Sequence, residues 1–212
     1  MKTDELITML ASGDVRPQAV PKRRIALHIA LGLLATVILM ATILGVRSNL
    51  PQVLLMPAFW LKVVFVVALA RVGWVATMRL SSPGKQAGKV ALMITATLVI
   101  MWSIAAVQLM MAAPDTRPHM FWGSTWRACP LLIAGLSLPI FIVLLHAMRE
   151  LAPTRLRLAG AAAGLTAGGA AAIVYCLHCP EMMMPFVSFW YVVGILIPTG
   201  IGALIGPRVL RW

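Results

Sequence analysis

Six apolar runs, each close to 20 residues, dominate the chain and leave few folds open to it. They fall at 25–45, 58–78, 90–113, 130–148, 158–177 and 185–206. About 20 consecutive apolar residues, wound as an α-helix, match the hydrocarbon thickness of a bilayer. Inside that layer every backbone N–H and C=O must find a partner within the protein, which favours helices over isolated strands. The expected fold class is therefore an all-α integral membrane protein with six transmembrane helices. Composition agrees, since 61% of residues are hydrophobic and 11% charged, against about 45–50% and 25% in soluble domains.

The chain divides into a segment 1–24, a membrane domain 25–206 and a short tail 207–212. Its formal net charge of +12 would suggest nucleic acid in a soluble protein, but here the basic residues lie mostly in the short loops between spans. One set of ends carries Lys2, Arg16, Lys22, Arg23, Arg24, Arg79, Lys85, Lys89, Arg149, Arg155, Arg157, Arg208 and Arg211. The opposite set carries Arg47, Lys62, Arg117 and Arg127. Cytoplasmic loops collect Lys and Arg, so both termini are expected in the cytoplasm, with the bilayer as one partner and no direct contact to nucleic acid. That places 46–57, 114–129 and 178–184 outside. Trp60, Phe121, Trp122, Trp126, Tyr175, Trp190 and Tyr191 lie near the same face, as an interfacial aromatic belt would.

The first 24 residues are the only long polar stretch. Thr3 is suited to cap a helix, Asp4 and Glu5 suit the positive end of its dipole, and Leu6, Ile7, Met9 and Leu10 supply one or two amphipathic turns. Gly13 and Pro17 stop it, and Arg16 to Arg24 reads as an extended linker. The apolar run that follows is too long for the core of a signal peptide.

Reactive side chains gather in Tyr175-Cys176-Leu177-His178-Cys179-Pro180-Glu181, and Cys129 heads the fourth span. All three cysteines then face an oxidising compartment in a bacterial envelope. A Cys129–Cys179 bond would tie two helices at their outer ends, whereas Cys176-x-x-Cys179 permits a local pair. Catalytic pairs of the second kind sit at helix N-termini, and this one ends a helix. A structural staple or inert thiols, a redox or metal-responsive switch, and thiol–disulfide catalysis all remain open on these residues. Cys129, Cys179 and His178 form the candidate set for a soft metal ion; His119 and His178 otherwise read as wet loop residues.

Two Lys or Arg side chains lie inside spans. Lys62 is expected to snorkel outward and Arg71 inward. The spans hold no Asp or Glu for an ion relay, and the chain carries no HExxH, GxSxG or Walker loop, so neither a secondary transporter nor an enzyme is indicated. Gly160, Gly164 and Gly168 line one helix face and Gly202 and Gly206 another, for close packing within the chain or between two copies of it. Pro139 and Pro198 are expected to kink their helices.

Several stretches, in order, resemble the NrsF family of bacterial membrane anti-sigma factors. They are Asp4-Glu5-Leu6-Ile7-Thr8-Met9-Leu10-Ala11 with Asp14-Val15-Arg16-Pro17, Cys129-Pro130, the glycine repeat running into Tyr175, His178-Cys179-Pro180-Glu181, Trp190-Tyr191, and the ending Gly206-Pro207-Arg208-Val209-Leu210-Arg211-Trp212. The resemblance implies a multi-pass protein of the bacterial inner membrane, without cofactor, that sequesters an extracytoplasmic-function sigma factor. Release would follow when periplasmic cysteines sense oxidant or heavy metal. It also implies that Cys129 and Cys179 are the sensing cysteines, with Cys176 an accessory thiol. Sigma binding would then fall on Asp4, Glu5, Leu6, Ile7, Leu10, Arg16 and Pro17. A quinone-linked thiol oxidoreductase and a small transport or assembly protein are the rival classes.

Overall fold

The computed structural model describes residues 3–12, 22–81, 88–151 and 153–211, and among them every regular element is helical. In chain order these are α1 (Thr3–Ser12), α2 (Lys22–Leu39) continued by a π turn (Met40–Leu44), α3 (Leu50–Val53), α4 (Pro57–Leu80) and α5 (Val90–Met111). Then come α6 (Arg117–Trp122), α7 (Ala128–Arg149), α8 (Leu156–Tyr175), α9 (Met184–Phe186) continued by a π turn (Val187–Tyr191), and α10 (Val192–Val209). Six of these stretches are long and apolar enough to cross a membrane. They match the six apolar runs to within a few residues. The last helix runs on to Val209, three residues beyond the expected end, and the expected loops 46–57 and 114–129 each contain a short helix. Pro139 and Pro198 lie within α7 and α10 without ending them.

The centre of the bundle is α8, packed on α10, α4 and α7. Its composition explains its place. Mostly Ala and Gly, it presents little side-chain bulk, so neighbouring backbones approach closely. A Cβ at Gly160 or Gly164 would collide with the carbonyls of Gly202 or Pro198 on α10, and one at Gly202 with the carbonyl of Gly160. The glycine face, expected to serve close packing within the chain or between two copies, is occupied by α10 of the same chain. A second close approach, to α4, involves Gly73 and Gly169: Cβ atoms there would lie 2.8 Å from Thr166 N and 2.7 Å from Ala70 Cα.

Buried hydroxyls bond from helix to helix within the bundle. Thr77 and Thr166 hydroxyls share a hydrogen bond of 2.9 Å between α4 and α8, while Thr36 Oγ1 donates to Leu136 O at 3.1 Å between α2 and α7. Helices α2 and α5 are the most exposed spans and present broad apolar faces to the surroundings. Arg71 is exposed on the flank of α4.

The contacts also show which ends of the helices lie together. His178 Nδ1 is 2.9 Å from Gly45 O, so the C-terminal end of α2 meets the C-terminal end of α8. Gly206 packs on Leu156 O, bringing the end of α10 beside the start of α8. The chain thus enters and leaves the membrane domain at the end opposite the 176–181 turn.

Candidate functional site: a buried thiol cluster at one end of the bundle

Cys129 is the second residue of α7, and its N–H donates to Thr125 O at 2.9 Å. Cys176 follows the last residue of α8. The chain then tightens, with His178 N and Cys179 N both donating to Tyr175 O at 3.0 Å. This turn folds Cys179 back over the end of α8 and against the start of α7. The Cys129 and Cys179 thiols are hydrogen-bonding neighbours, with Tyr175 beside them. All three cysteines are free thiols and fully buried. The expectation that the fifth span runs to Leu177 is corrected by two residues: Cys176 caps the helix instead of lying within it.

Three elements hold the turn. Arg47, just past α2, donates from Nη1 to Cys179 O at 3.2 Å, and its backbone N–H donates to Leu177 O. Glu181 Oε1 accepts 2.7 Å hydrogen bonds from both Ser124 N and Ser124 Oγ, fastening the turn to the loop before α7. Gly123, at φ +55°, makes room for that carboxylate, because a Cβ there would lie 2.8 Å from Glu181 Cδ. The third support is Lys62 of α4. Instead of snorkelling outward it is 0% exposed, donates from Nζ to Cys179 O (3.2 Å) and Glu181 O (3.0 Å), and lies 5.1 Å over the Tyr191 ring.

The cluster is electrostatically asymmetric. The hydrogen bond from Cys129, followed by the Lys62 charge, holds the Cys179 thiol below the ordinary thiol range against the opposing effect of burial. Burial pushes Cys176 the other way, to about 11. Tyr175 and Tyr191 belong to this core and not to the aromatic belt, each being about 1% exposed or less. Trp60 and Trp122 are exposed, and Phe121, Trp126 and Trp190 make edge-on or tilted ring contacts with Trp122.

The metal-ligand set is not assembled. Among the described residues no three His, Cys, Asp or Glu side chains group as metal ligands, and the His178 ring is turned to Gly45 O. At the other terminus, Thr3–Ser12 is helical with Asp4 and Glu5 in its first turn; Thr3, expected as the cap, is the first residue of the helix, and Asp4, Glu5 and Ile7 are exposed. The Leu6 and Leu10 side chains, and Arg16 and Pro17 altogether, lie outside what is described.

A family model described as "NrsF: Negative regulator of sigma F" matches residues 10–212. The chain belongs to the NrsF family. A relative from Azospira oryzae, named a probable anti-sigma-F factor NrsF, is 49% identical over 213 residues, covering all of both chains. Another from Caulobacter vibrioides, named an anti-sigma-F factor NrsF, is 38% identical over 215 residues with the same full coverage. No solved structure matches. These NrsF relatives carry the names of regulators, not of enzymes.

The sequence singled out Cys129, Cys176 and Cys179 but missed Tyr191 and Arg47 as parts of the site. Lys62 did carry a signal, as a lysine inside an apolar run; what it meets there comes from a turn more than 100 residues away.

Proposed function

We propose that this chain is a membrane anti-sigma factor of the bacterial inner membrane. Its N-terminal segment, 1–24, holds an extracytoplasmic-function sigma factor at the cytoplasmic face, with Asp4, Glu5, Leu6, Ile7, Leu10, Arg16 and Pro17 as the contact residues. It releases the factor when Cys129 and Cys179, at the periplasmic face, are oxidised. Membership of the NrsF family supports the regulatory role. The excess of Lys and Arg at the ends where the chain enters and leaves supports the orientation.

The observation that carries the sensing half is the pairing of Cys129 and Cys179. These thiols come from two different helical segments, α7 and the turn after α8, and are in hydrogen-bonding contact without being bonded. A peroxide-class oxidant takes two electrons and two protons from the pair, an S–S bond forms, and the peroxide leaves as two waters. Bond formation draws two sulfurs from hydrogen-bonding distance to about 2.05 Å, which moves the end of α8 relative to α7. Close backbone packing of α8 on α10 and α4 passes that movement along the bundle, since tightly packed interfaces deform little. For a near-complete switch the two states must differ in sigma affinity by about 5.5 kcal/mol.

The test is sigma-dependent transcription with and without hydrogen peroxide in cells carrying Cys129→Ser, Cys179→Ser or Cys176→Ser. The first two variants should each lock transcription at one level, and Cys176→Ser should respond almost normally. A normal response from the Cys129/Cys179 double variant would end the sensing role of the pair.

A further inference from the structure

Lys62 is unusual among membrane lysines. A cation on a spanning helix normally reaches for the head groups or pairs with an anion, because an uncompensated buried charge is costly. Lys62 is fully buried, and among the described residues no carboxylate pairs with it. Its contacts are two backbone carbonyls and the face of Tyr191. The carboxylate of Glu181 is turned away, onto Ser124.

A second group is incomplete at the same place. Tyr191 Oη is buried and makes no hydrogen bond of good geometry, and the polar groups it faces are the thiols of Cys176 and Cys179. A cation without an anion and a phenol without an acceptor thus face the sulfurs of Cys176 and Cys179, and of these two only the Cys179 sulfur also has the Cys129 thiol beside it. Both are satisfied together when that sulfur is a thiolate, which attracts the ammonium and accepts the phenolic hydrogen bond.

We propose that Lys62, assisted by Tyr191, is the positioning residue of the thiol pair: it makes Cys179 the sulfur that carries negative charge and attacks the oxidant, with Cys129 as the resolving thiol. The inference rests on the reading of Cys129 and Cys179 as the sensor. The other groups facing Cys179 are few. Cys129 approaches from α7, Tyr175 and Cys176 from the end of α8, and Arg47, engaged with the Cys179 carbonyl, from the end of α2. His178 of the same turn is bonded to Gly45 O.

The Cys179 thiolate attacks one peroxide oxygen, the O–O bond breaks, and hydroxide leaves with the proton of Cys129 as water. The Cys129 thiolate so formed attacks the Cys179 sulfenic acid and closes the disulfide. The second hydroxide takes the proton that Cys179 released on ionising and leaves as water. Closure removes the anion while Lys62 stays tethered to the carbonyls of Cys179 and Glu181. Its charge then has no anion beside it.

The test uses the full-length protein in lipid nanodiscs. Thiolate ultraviolet absorption is followed against pH, with Cys179→Ser subtracted to isolate one sulfur, and disulfide formation by hydrogen peroxide is timed on the same samples. Lys62→Gln keeps a donor for the two carbonyls and removes only the charge. It should raise the Cys179 midpoint by at least about one pH unit, a tenfold loss of thiolate below both midpoints. Peroxide oxidation near neutral pH should slow by a similar factor and recover at high pH, while Lys62→Arg should hold the wild-type midpoint. Tyr191→Phe, which deletes a hydroxyl that makes no bond in the resting fold, should shift the midpoint the same way by less.

An unchanged midpoint in folded Lys62→Gln would overturn the proposal. If that variant does not fold, an unchanged midpoint in Tyr191→Phe would do so. The sensor reading fails separately: serine variants that leave transcription responsive, beside a shifted Lys62→Gln midpoint, would overturn the sensor and uphold the charge assignment. Locked transcription with an unmoved midpoint would do the reverse.

Discussion

Replacing Gly169 by alanine should separate α8 from α4. The added Cβ would lie 2.7 Å from Ala70 Cα and 2.9 Å from Ala70 Cβ. Carbon atoms at rest stand about 3.5–4.0 Å apart, so the helices must part by about 1 Å. The obstacle is backbone and a methyl group, neither of which can rotate away. Overpacking of this kind costs about 1–3 kcal/mol. The nearby Thr77–Thr166 hydrogen bond, 2.9 Å long and buried, stretches as the helices part and adds about 1 kcal/mol. A loss of about 2–4 kcal/mol is expected.

Reversible unfolding in mixed micelles, driven by increasing denaturing detergent, measures it directly. Gly135→Ala and Gly200→Ala are the controls, since nothing lies within 4 Å of a Cβ at either position. Both are helical, and alanine there should be neutral or stabilising by about 0.5–1 kcal/mol. A Gly169→Ala variant within about 0.5 kcal/mol of wild type would refute the close-packing account, as would equal losses at Gly135 or Gly200.

The same structure makes further predictions. A cytoplasm-active reporter fused after Trp212 and a periplasm-active one inserted at Thr116 should both be active; periplasmic activity at Trp212 would reverse the orientation. Leu6→Asp or Leu10→Asp should abolish sigma capture in a pull-down while leaving membrane insertion intact, because burying an unpaired carboxylate against a partner costs several kcal/mol. Retained capture in both variants would remove α1 from the mechanism. Glu181→Ala deletes two 2.7 Å hydrogen bonds and should free the 178–183 turn, seen as faster alkylation of Cys179, with no more than about 3 kcal/mol of lost stability. An unchanged alkylation rate would show that Arg47 and Lys62 hold the turn without it.

The six spans were legible because hydrocarbon thickness constrains length, a property local to each run. Helix α1 was legible from Asp4 and Glu5 for the same local reason, although Thr3, expected to cap it, is its first residue. What could not be read were the long-range partners. The repeat Gly160-Gly164-Gly168 announces a groove and packing within the chain was its expected use, but a groove does not name which helix fills it. The Gly73 and Gly169 contact had no repeat to reveal it. Lys62 was misjudged because snorkelling is the ordinary outcome for a lysine near a helix end; only the carbonyls of Cys179 and Glu181, delivered by the fold, make an inward orientation favourable. Tyr175 and Tyr191 were drawn into the belt by their depth in the sequence, since hydropathy reports how deep a residue lies and not which way it faces.

The two π turns, Met40–Leu44 and Val187–Tyr191, bear on how the length of this chain can change. A π turn is in effect an α turn with one residue added, and the flanking helix keeps its facing. Deleting one residue there returns the segment to α winding and leaves the contacts on either side in register. A deletion within α8 instead rotates everything beyond it by about 100°, the angle between successive residues of a helix, and turns the glycines from α10 towards bulkier neighbours. Single-residue gains and losses can therefore be absorbed at the ends of the first and last spans that lie beside the thiol cluster, while α8 must keep its count.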